Sequence, residues 1–486
     1  MHQSRLFKAS RIVGGVALCA LLAVAAMGAP KTAGSSMVNA WHSSADGTQR
    51  LTSLAPIPIE DEAPEGLKIR VDTKRQYQVI EGFGASITDA SAWLIRNKLN
   101  AKQRRMLMRE LFDKKSGLGL NLTRVTIGAS DFSRSHYSYD DMPSGQTDPR
   151  LAKFSIAPAK IDVLPTVREA LAINKSLRVF ASPWSAPAWM KSTNSMIKGK
   201  LSPAHYDAFA RYLQKTLTGF KAEGVPVYAL TIQNEPHFQP ENYPGMHMDP
   251  SERAAFVGKH LGPLLAAKHS KVRILDWDHN WDQPESPLAV LADPDARKYL
   301  SGTAWHCYGG DVGAQSKVHD AYPKMETWFT ECSGGAWAPD WGGTLSWMTQ
   351  NLIIGSTRNW AKGVILWNLA LDENSGPHLG GCGDCRGVVT INQTTGEVTR
   401  NVEYYVLGHA SRFVRPGAKR IESDTKIDGL ETVAFQNPKG GSIVLIALNT
   451  AKQPRQFSVG TGGGWFRTEM AAGSVSTFTW VQKQAH

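Results

Sequence analysis

Apolar residues along this chain gather into short runs at a regular interval. Eight such runs stand out: Val79–Ile87, Leu122–Ala129, Arg178–Pro183, Val227–Gln233, Val272–Trp277, Gly302–Tyr308, Thr327–Thr330 and Gly363–Leu369. Each is short, β-branched or aromatic, and reads as a strand. Between them the spacing changes to that of an amphipathic helix, over Ala90–Phe112, Ile161–Ile173, Pro203–Ala222, Ser251–Lys268, Pro294–Leu300 and Leu345–Trp360. The interval before Thr327 is too short to reveal a helix. Strands alternating with helices form parallel βα units, and eight units over this length predict a closed (β/α)8 barrel. A doubly wound open sheet fits less well, because Gly82-Phe83-Gly84 lacks the third glycine and ribose acid of a dinucleotide loop.

Past residue 400 the pattern changes again. Helical spacing ends near Phe413, and alternating strands are expected at Leu430–Gln436, Ser442–Leu448, Gln456–Val459, Trp465–Glu469 and Ser474–Trp480, with turn residues such as Asn437-Pro438-Lys439-Gly440-Gly441 between them. This predicts an attached antiparallel β-sandwich. Lys68-Ile69-Arg70-Val71-Asp72 alternates in the same way and is expected to join it. The expected division is therefore a signal peptide at 1–29, a linker at 30–65, the sandwich's N-terminal strand at 66–78, the barrel at 79–413 and the C-terminal sandwich at 414–486.

The N-terminus supports the first of these. Arg5, Lys8 and Arg11 precede an apolar run from Ile12 to Met27 with small residues near its end, the layout of a secretory leader rather than a bilayer span. The expected location is secreted or periplasmic. A retained anchor is the alternative. The formal charge of +11 is spread without a basic run, which argues against nucleic acid as a partner. Of five cysteines, Cys19 lies in the leader, leaving Cys307, Cys332, Cys382 and Cys385. The last two are close enough to pair with each other. As zinc ligands they are half a set, so a local disulfide or a free pair is the better reading.

In a (β/α)8 barrel, chemistry gathers at the C-terminal ends of the strands. Those ends here carry Thr88-Asp89, Ser130-Asp131-Phe132, Pro183-Trp184, Asn234-Glu235, Asp276-Trp277-Asp278-His279, His306-Cys307-Tyr308, Glu331 and Trp367-Asn368. Taken singly, each has a bland explanation: a tryptophan is usually core, Asp131 could cap a helix, and His306 or Tyr308 could be a satisfied strand residue. Together they form a polar and aromatic ring of the kind that binds sugar hydroxyls and stacks on a pyranose face. Glu235 and Glu331, ending strands four and seven, are a candidate carboxylate pair for retaining glycoside hydrolysis. Histidines occur without metal-ligand spacing, and no Gly-x-Ser-x-Gly elbow is present, so neither a metal hydrolase nor a serine hydrolase is expected and no cofactor is required.

Four stretches carry a resemblance to glycoside hydrolase family 30: Gly82-Phe83-Gly84-Ala85-Ser86-Ile87-Thr88-Asp89, Ala181-Ser182-Pro183-Trp184-Ser185-Ala186-Pro187, Trp367-Asn368-Leu369-Ala370-Leu371-Asp372 and Tyr405-Val406-Leu407-Gly408-His409-Ala410-Ser411-Arg412-Phe413. The resemblance runs from about Tyr77 to Trp480. It implies a barrel fused to a sandwich built from both chain ends, with Glu235 as acid/base and Glu331 as nucleophile. By the same motifs Asp131, Trp184, Asn234 and Trp367 should hold the terminal sugar, with Asn368 beside them. His306 and Tyr308 should flank the nucleophile and Tyr243 the acid/base. The leading expectation is a glucosylceramidase-like β-glucosidase, with an endo-β-1,6-glucanase of the same family as the alternative and a non-catalytic carbohydrate-binding protein as the alternative of another class. The partner is a β-linked glucoside, either glycolipid or glucan, and a mildly basic surface would tolerate peripheral contact with lipid. Oligomeric state stays open. The loops at 237–241 and 380–386 depart from the family's lysosomal acid β-glucosidase pattern, which leaves the aglycone open.

Overall fold

The computed structural model describes residues 37–482. The expected signal peptide lies outside them. Eight parallel strands close into a barrel in chain order: Gly82–Ser86, Leu122–Ile127, Arg178–Pro183, Val227–Thr231, Arg273–Asn280, Leu300–His306, Glu326–Glu331 and Ala361–Asn368. Every expected barrel strand is present. The lower barrel is filled by Leu122, Phe180, Ala229, Leu275, Ala304, Trp328 and Ile365, one side chain from each of strands two to eight. The period of two along a strand fixes what comes next. The inward positions one step up are Arg124, Ser182, Thr231, His306, Thr330 and Trp367, where the filling turns polar.

The helices differ from expectation in ways that local chemistry explains. The run expected as one helix over Ala90–Phe112 is two, Asp89–Asn97 and Ala101–Phe112. Asn100 interrupts it by capping the second helix, accepting from the Lys102 and Gln103 amides while the Gln103 side chain bonds back to the Asn100 amide. This reciprocal cap satisfies orphan amides that a continuous helix would not have. A short helix, Ala314–Ala321, does precede strand seven. It buries only Gln315 and Val318, so it has no apolar stripe to read.

The sandwich gathers the strands after residue 417 with the four that precede the barrel. Met37–Ser43 pairs antiparallel with Val475–Trp480, and Lys68–Ile80 runs between Ala418–Ser423 and Arg455–Gly460. The expected linker at 30–65 is thereby corrected over its described part. Val38 and Ala40 are fully buried in the sandwich core, and Thr52–Ser53 and Ile57–Pro58 pair with the same first strand. The segment was hard to read because its alternation spans only seven residues amid polar neighbours. Val79 also belongs to this sheet, opposite Lys419, and the barrel begins at Gly82.

Candidate active site

At the C-terminal mouth of the barrel lies a cavity of about 590 Å³, lined among others by Asp131, Glu235, Tyr243, Tyr308, Glu331 and Trp367. Trp184 stacks on Trp367 at 5.1 Å and 19° between planes. Asn234, His306 and Asn368 stand behind the lining. Asn368 turns to the first strand's end, where its Oδ1 accepts from the Thr88 hydroxyl at 2.8 Å.

The fourth strand's ladder ends at Thr231, so Asn234 and Glu235 sit on the loop that follows. The Asn234 amide donates to the Pro183 carbonyl at 2.8 Å and the Glu235 amide to the Asp278 carbonyl at 3.0 Å. These bonds hold Glu235 in the left-handed region at φ 47°. Trp277 and Asp278 share that region, at 76° and 51°. Non-glycine residues in this conformation carry a strain that the surroundings must sustain.

The strain on strand five has a consequence. Ala304 pairs with Trp277 and Trp305 with His279, so Asp278 is an extra residue in the ladder. Simple alternation from Leu275 would turn Trp277 into the barrel. The bulge instead sends Trp277 outward, against His237 and Arg253, and brings Asp278 into the polar layer. There Asp278 accepts from Ser182, Thr231 and Thr330 hydroxyls at 2.9, 2.7 and 2.7 Å, from Arg124 at 2.7 Å, and lies 3.1 Å from His306 Nε2.

Arg124 is the other residue that strand-end reading passes over. It is fully buried, and its guanidinium reaches Glu331 Oε2 at 2.6 Å, Asn234 Oδ1 at 2.7 Å and Asp278 Oδ2 at 2.7 Å. It also lies 4.7 Å from the Trp184 ring and 5.5 Å from that of Trp367. One planar cation thus ties the two tryptophans to both ends of the carboxylate cluster. The available signal was an arginine two residues after Leu122 in an otherwise uncharged strand. Such a side chain must point inward, and only buried acids can hold it there.

Glu331 accepts from the Tyr308 hydroxyl through Oε1 at 3.0 Å. Between the two glutamates stands His306, its Nδ1 3.1 Å from Glu235 Oε1 and 4.0 Å from Glu331 Oε1. His279 Nδ1 is 3.6 Å from the same Glu235 oxygen. Burial pushes Glu331 above its ordinary range, helped by the charges of Glu235 and Asp278 and opposed by His306 and Arg124. Burial pushes Glu235 upward too, yet the neighbouring His279 and His306 hold it below the usual carboxylate range. Burial disfavours the His306 cation, but the surrounding acids, Glu331 foremost, lift it to about 9. Asp131 is pushed well up by burial and then by the two glutamates' charges. These groups exchange protons as one set.

Two disulfides border the site. Cys382–Cys385 closes a loop of the cavity wall. Cys307–Cys332, which the sequence did not suggest, joins the residues just after His306 and Glu331.

A barrel whose mouth brings two glutamates into one cavity with a stacked tryptophan pair is the architecture of a glycosidase. The glycosyl hydrolase family 30 TIM-barrel model matches residues 80–414 and the family's β-sandwich model residues 417–478. The chain belongs to glycosyl hydrolase family 30. Among its relatives, an endo-1,6-β-D-glucanase of Trichoderma harzianum is 33% identical, over 93% of this chain and 94% of that one. The lysosomal acid glucosylceramidase of Mus musculus is 28% identical over 85% and 84%. Among solved structures, an endo-β1,6-glucanase superposes with a TM-score of 0.85 at 32% identity, covering 92% of this chain and all of that one.

Proposed function

We propose that this chain is an exported, retaining endo-β-1,6-glucanase with Glu331 as nucleophile and Glu235 as acid/base. The mechanism rests on the single imidazole of His306 standing between two glutamates at the barrel mouth, 3.1 Å from one and 4.0 Å from the other. The choice of glucan over glycolipid rests on the relatives. Identity to endo-1,6-glucanases is higher and covers more of both chains than identity to the glucosylceramidase. This reverses the order of preference that the motifs alone suggested.

The chemistry runs in two displacements. A Glu331 carboxylate oxygen attacks the anomeric carbon of the sugar beside Trp184 and Trp367, and the bond to the leaving primary oxygen breaks as Glu235 protonates it. Water then attacks the same carbon, Glu235 takes its proton, and the Glu331 carboxylate departs. Arg124 and the Tyr308 hydroxyl donate to Glu331 and stabilise its ionised form. Glu235 needs a proton for the first step, and His306 Nδ1 is within 3.1 Å to share one. The charge of the Glu235–His306 pair is the same whichever member carries it. Buried Asp278 holds the far nitrogen of that imidazole at 3.1 Å.

The test is parallel incubation of the purified protein with linear β-1,6-glucan and with glucosylceramide in detergent micelles. Short β-1,6-linked oligosaccharides with intact lipid are expected. Ceramide and glucose with intact glucan would replace this reading with the glycolipid one. For the roles, Glu331→Gln is expected to abolish hydrolysis of every β-glucoside. Glu235→Ala should lose glucan hydrolysis yet still form a covalent glycosyl-enzyme from a dinitrophenyl β-glucoside, whose leaving group needs no proton, visible by intact-protein mass spectrometry. Adduct formation on Glu235 in the wild type would exchange the two roles.

A further inference from the structure

The carboxylate and imidazoles at the mouth offer a second kind of binding. Glu235, on the loop after strand four, and His279 and His306, at the ends of strands five and six, each bring one ligand atom within 4.8 Å of the others. Glu235 Oε1 lies 3.1 Å from His306 Nδ1 and 3.6 Å from His279 Nδ1. A tetrahedral zinc ion with ligand bonds of 2.0–2.1 Å sets its donors roughly 3.3 Å apart. The observed distances bracket that spacing.

Two further observations point to a ligand. His279 is only 6% exposed, and its Nδ1 is buried without a hydrogen-bond partner while facing Glu235. An unpaired buried ring nitrogen costs free energy that an incoming cation would recover. His306 turns its other nitrogen, Nε2, to the Asp278 carboxylate at 3.1 Å. A carboxylate behind a histidine is the outer arrangement that orients metal-ligating imidazoles and raises their basicity. Asp278 is in turn fixed by the strand-five bulge and three hydroxyls, so His306 is aimed by a rigid support.

We propose that Glu235, His279 and His306 form an inhibitory site for a borderline-soft divalent cation, zinc or copper, which when bound occupies the acid/base and closes the enzyme to substrate. Three protein ligands leave the fourth position facing the cavity, where the leaving-group oxygen would otherwise lie. The donors are two nitrogens and one oxygen, which suits zinc and copper and disfavours magnesium or calcium. The entering cation displaces the proton held between His306 and Glu235. An exported glucanase with this site would be switched off by free transition metal in its surroundings and restored by chelation.

Binding is read by calorimetry on the purified protein with zinc chloride alone, so the result is independent of which glycoside is the substrate. One tightly bound zinc per chain is expected. Aryl β-glucoside hydrolysis should fall in step with that occupancy, return with EDTA, and be indifferent to magnesium chloride. His279→Gln should weaken zinc binding at least tenfold. Cobalt chloride added to the wild-type protein provides a check that needs no variant: the intense visible bands of four-coordinate cobalt are expected, and they should vanish when zinc is added. The proposal fails if no zinc binds, if His279→Gln binds it as tightly as the wild type, or if cobalt gives only the weak spectrum of the hydrated ion.

Discussion

Arg124 shows how much one side chain can organise. Its fork is shared among Asn234, Asp278 and Glu331, so a lysine, a point charge on a flexible stem, cannot satisfy all three at once. Arg124→Lys is expected to leave a folded protein whose kcat/KM on an aryl β-glucoside falls by roughly 100-fold or more, the scale of losing a preorganised electrostatic contact. Arg124→Ala removes the cation altogether and leaves Asp278 and Glu331 buried without it. A loss of about 3–5 kcal/mol in urea unfolding is expected there. Equal stability of the alanine variant and the wild type would mean that the cluster is held by its hydroxyls instead. Asn368, by contrast, was legible only as a polar residue at a strand's end. Its bond to Thr88 makes it a tie between strands one and eight.

Among the elements, the loop from Gly376 to Arg386 forms part of the cavity wall through Gly381, Cys382 and Cys385. Leu379 donates to the Asp131 carbonyl at 2.8 Å, and Gly381 donates to Asn242 Oδ1 at 3.2 Å. Gly381 has φ +67°, and a Cβ there would stand 2.4 Å from the Asp131 Cβ. Both facts demand glycine, the first for backbone freedom and the second for room. Gly381→Ala should therefore shift Asp131 and reduce kcat/KM on β-1,6-glucan by about 10- to 100-fold. Gly145 makes the control: it also has positive φ, at +76°, but nothing lies within 4 Å of its added Cβ. Gly145→Ala should leave steady-state kinetics unchanged, and equal damage from both substitutions would overturn the role assigned to the 376–386 loop. Helix existence was readable wherever an apolar stripe was present, as in Tyr206–Ala222, and failed where burial was slight, as in Ala314–Ala321.

For the molecule as a whole, the junction of barrel and sandwich turns on His409. This residue lies in the last helix, Val402–Ser411, and bonds Thr477 Oγ1 through Nδ1 at 2.9 Å and Ser43 Oγ through Nε2 at 2.8 Å. The Thr477 hydroxyl donates to the His409 carbonyl, so it accepts from Nδ1–H, and Nε2 accepts from Ser43. The ring is therefore a neutral imidazole linking the helix to the sandwich's first and last strands. Burial, with some repulsion from His42, pushes it down to about 3 from an ordinary 6.5. Between those values the unfolded chain binds a proton that the folded one does not, so stability falls as pH falls from 6.5 toward 3. His409→Gln should remove up to about 1.4 kcal/mol per pH unit from that slope, measured by urea unfolding at a series of pH values. An unchanged slope would assign the acid sensitivity to other groups.

The barrel and the sandwich were legible in the sequence, and so was the position of the two candidate glutamates. Each of these is written in local order: a period of two or 3.6, or a carboxylate where a strand run stops. Packing in three dimensions was needed to show that residues 37–43 complete the sandwich, that Asp278 rather than Trp277 enters the polar layer, and that Arg124 ties strand two to the loop after strand four and to strands five and seven. The same packing brings Cys307 to Cys332 and His279 to Glu235. These contacts join positions far apart in the chain, or follow a bulge that breaks the period. Alternation within one strand carries no information about what the neighbouring strand presents, because register and closure are set by the packing of all eight strands together.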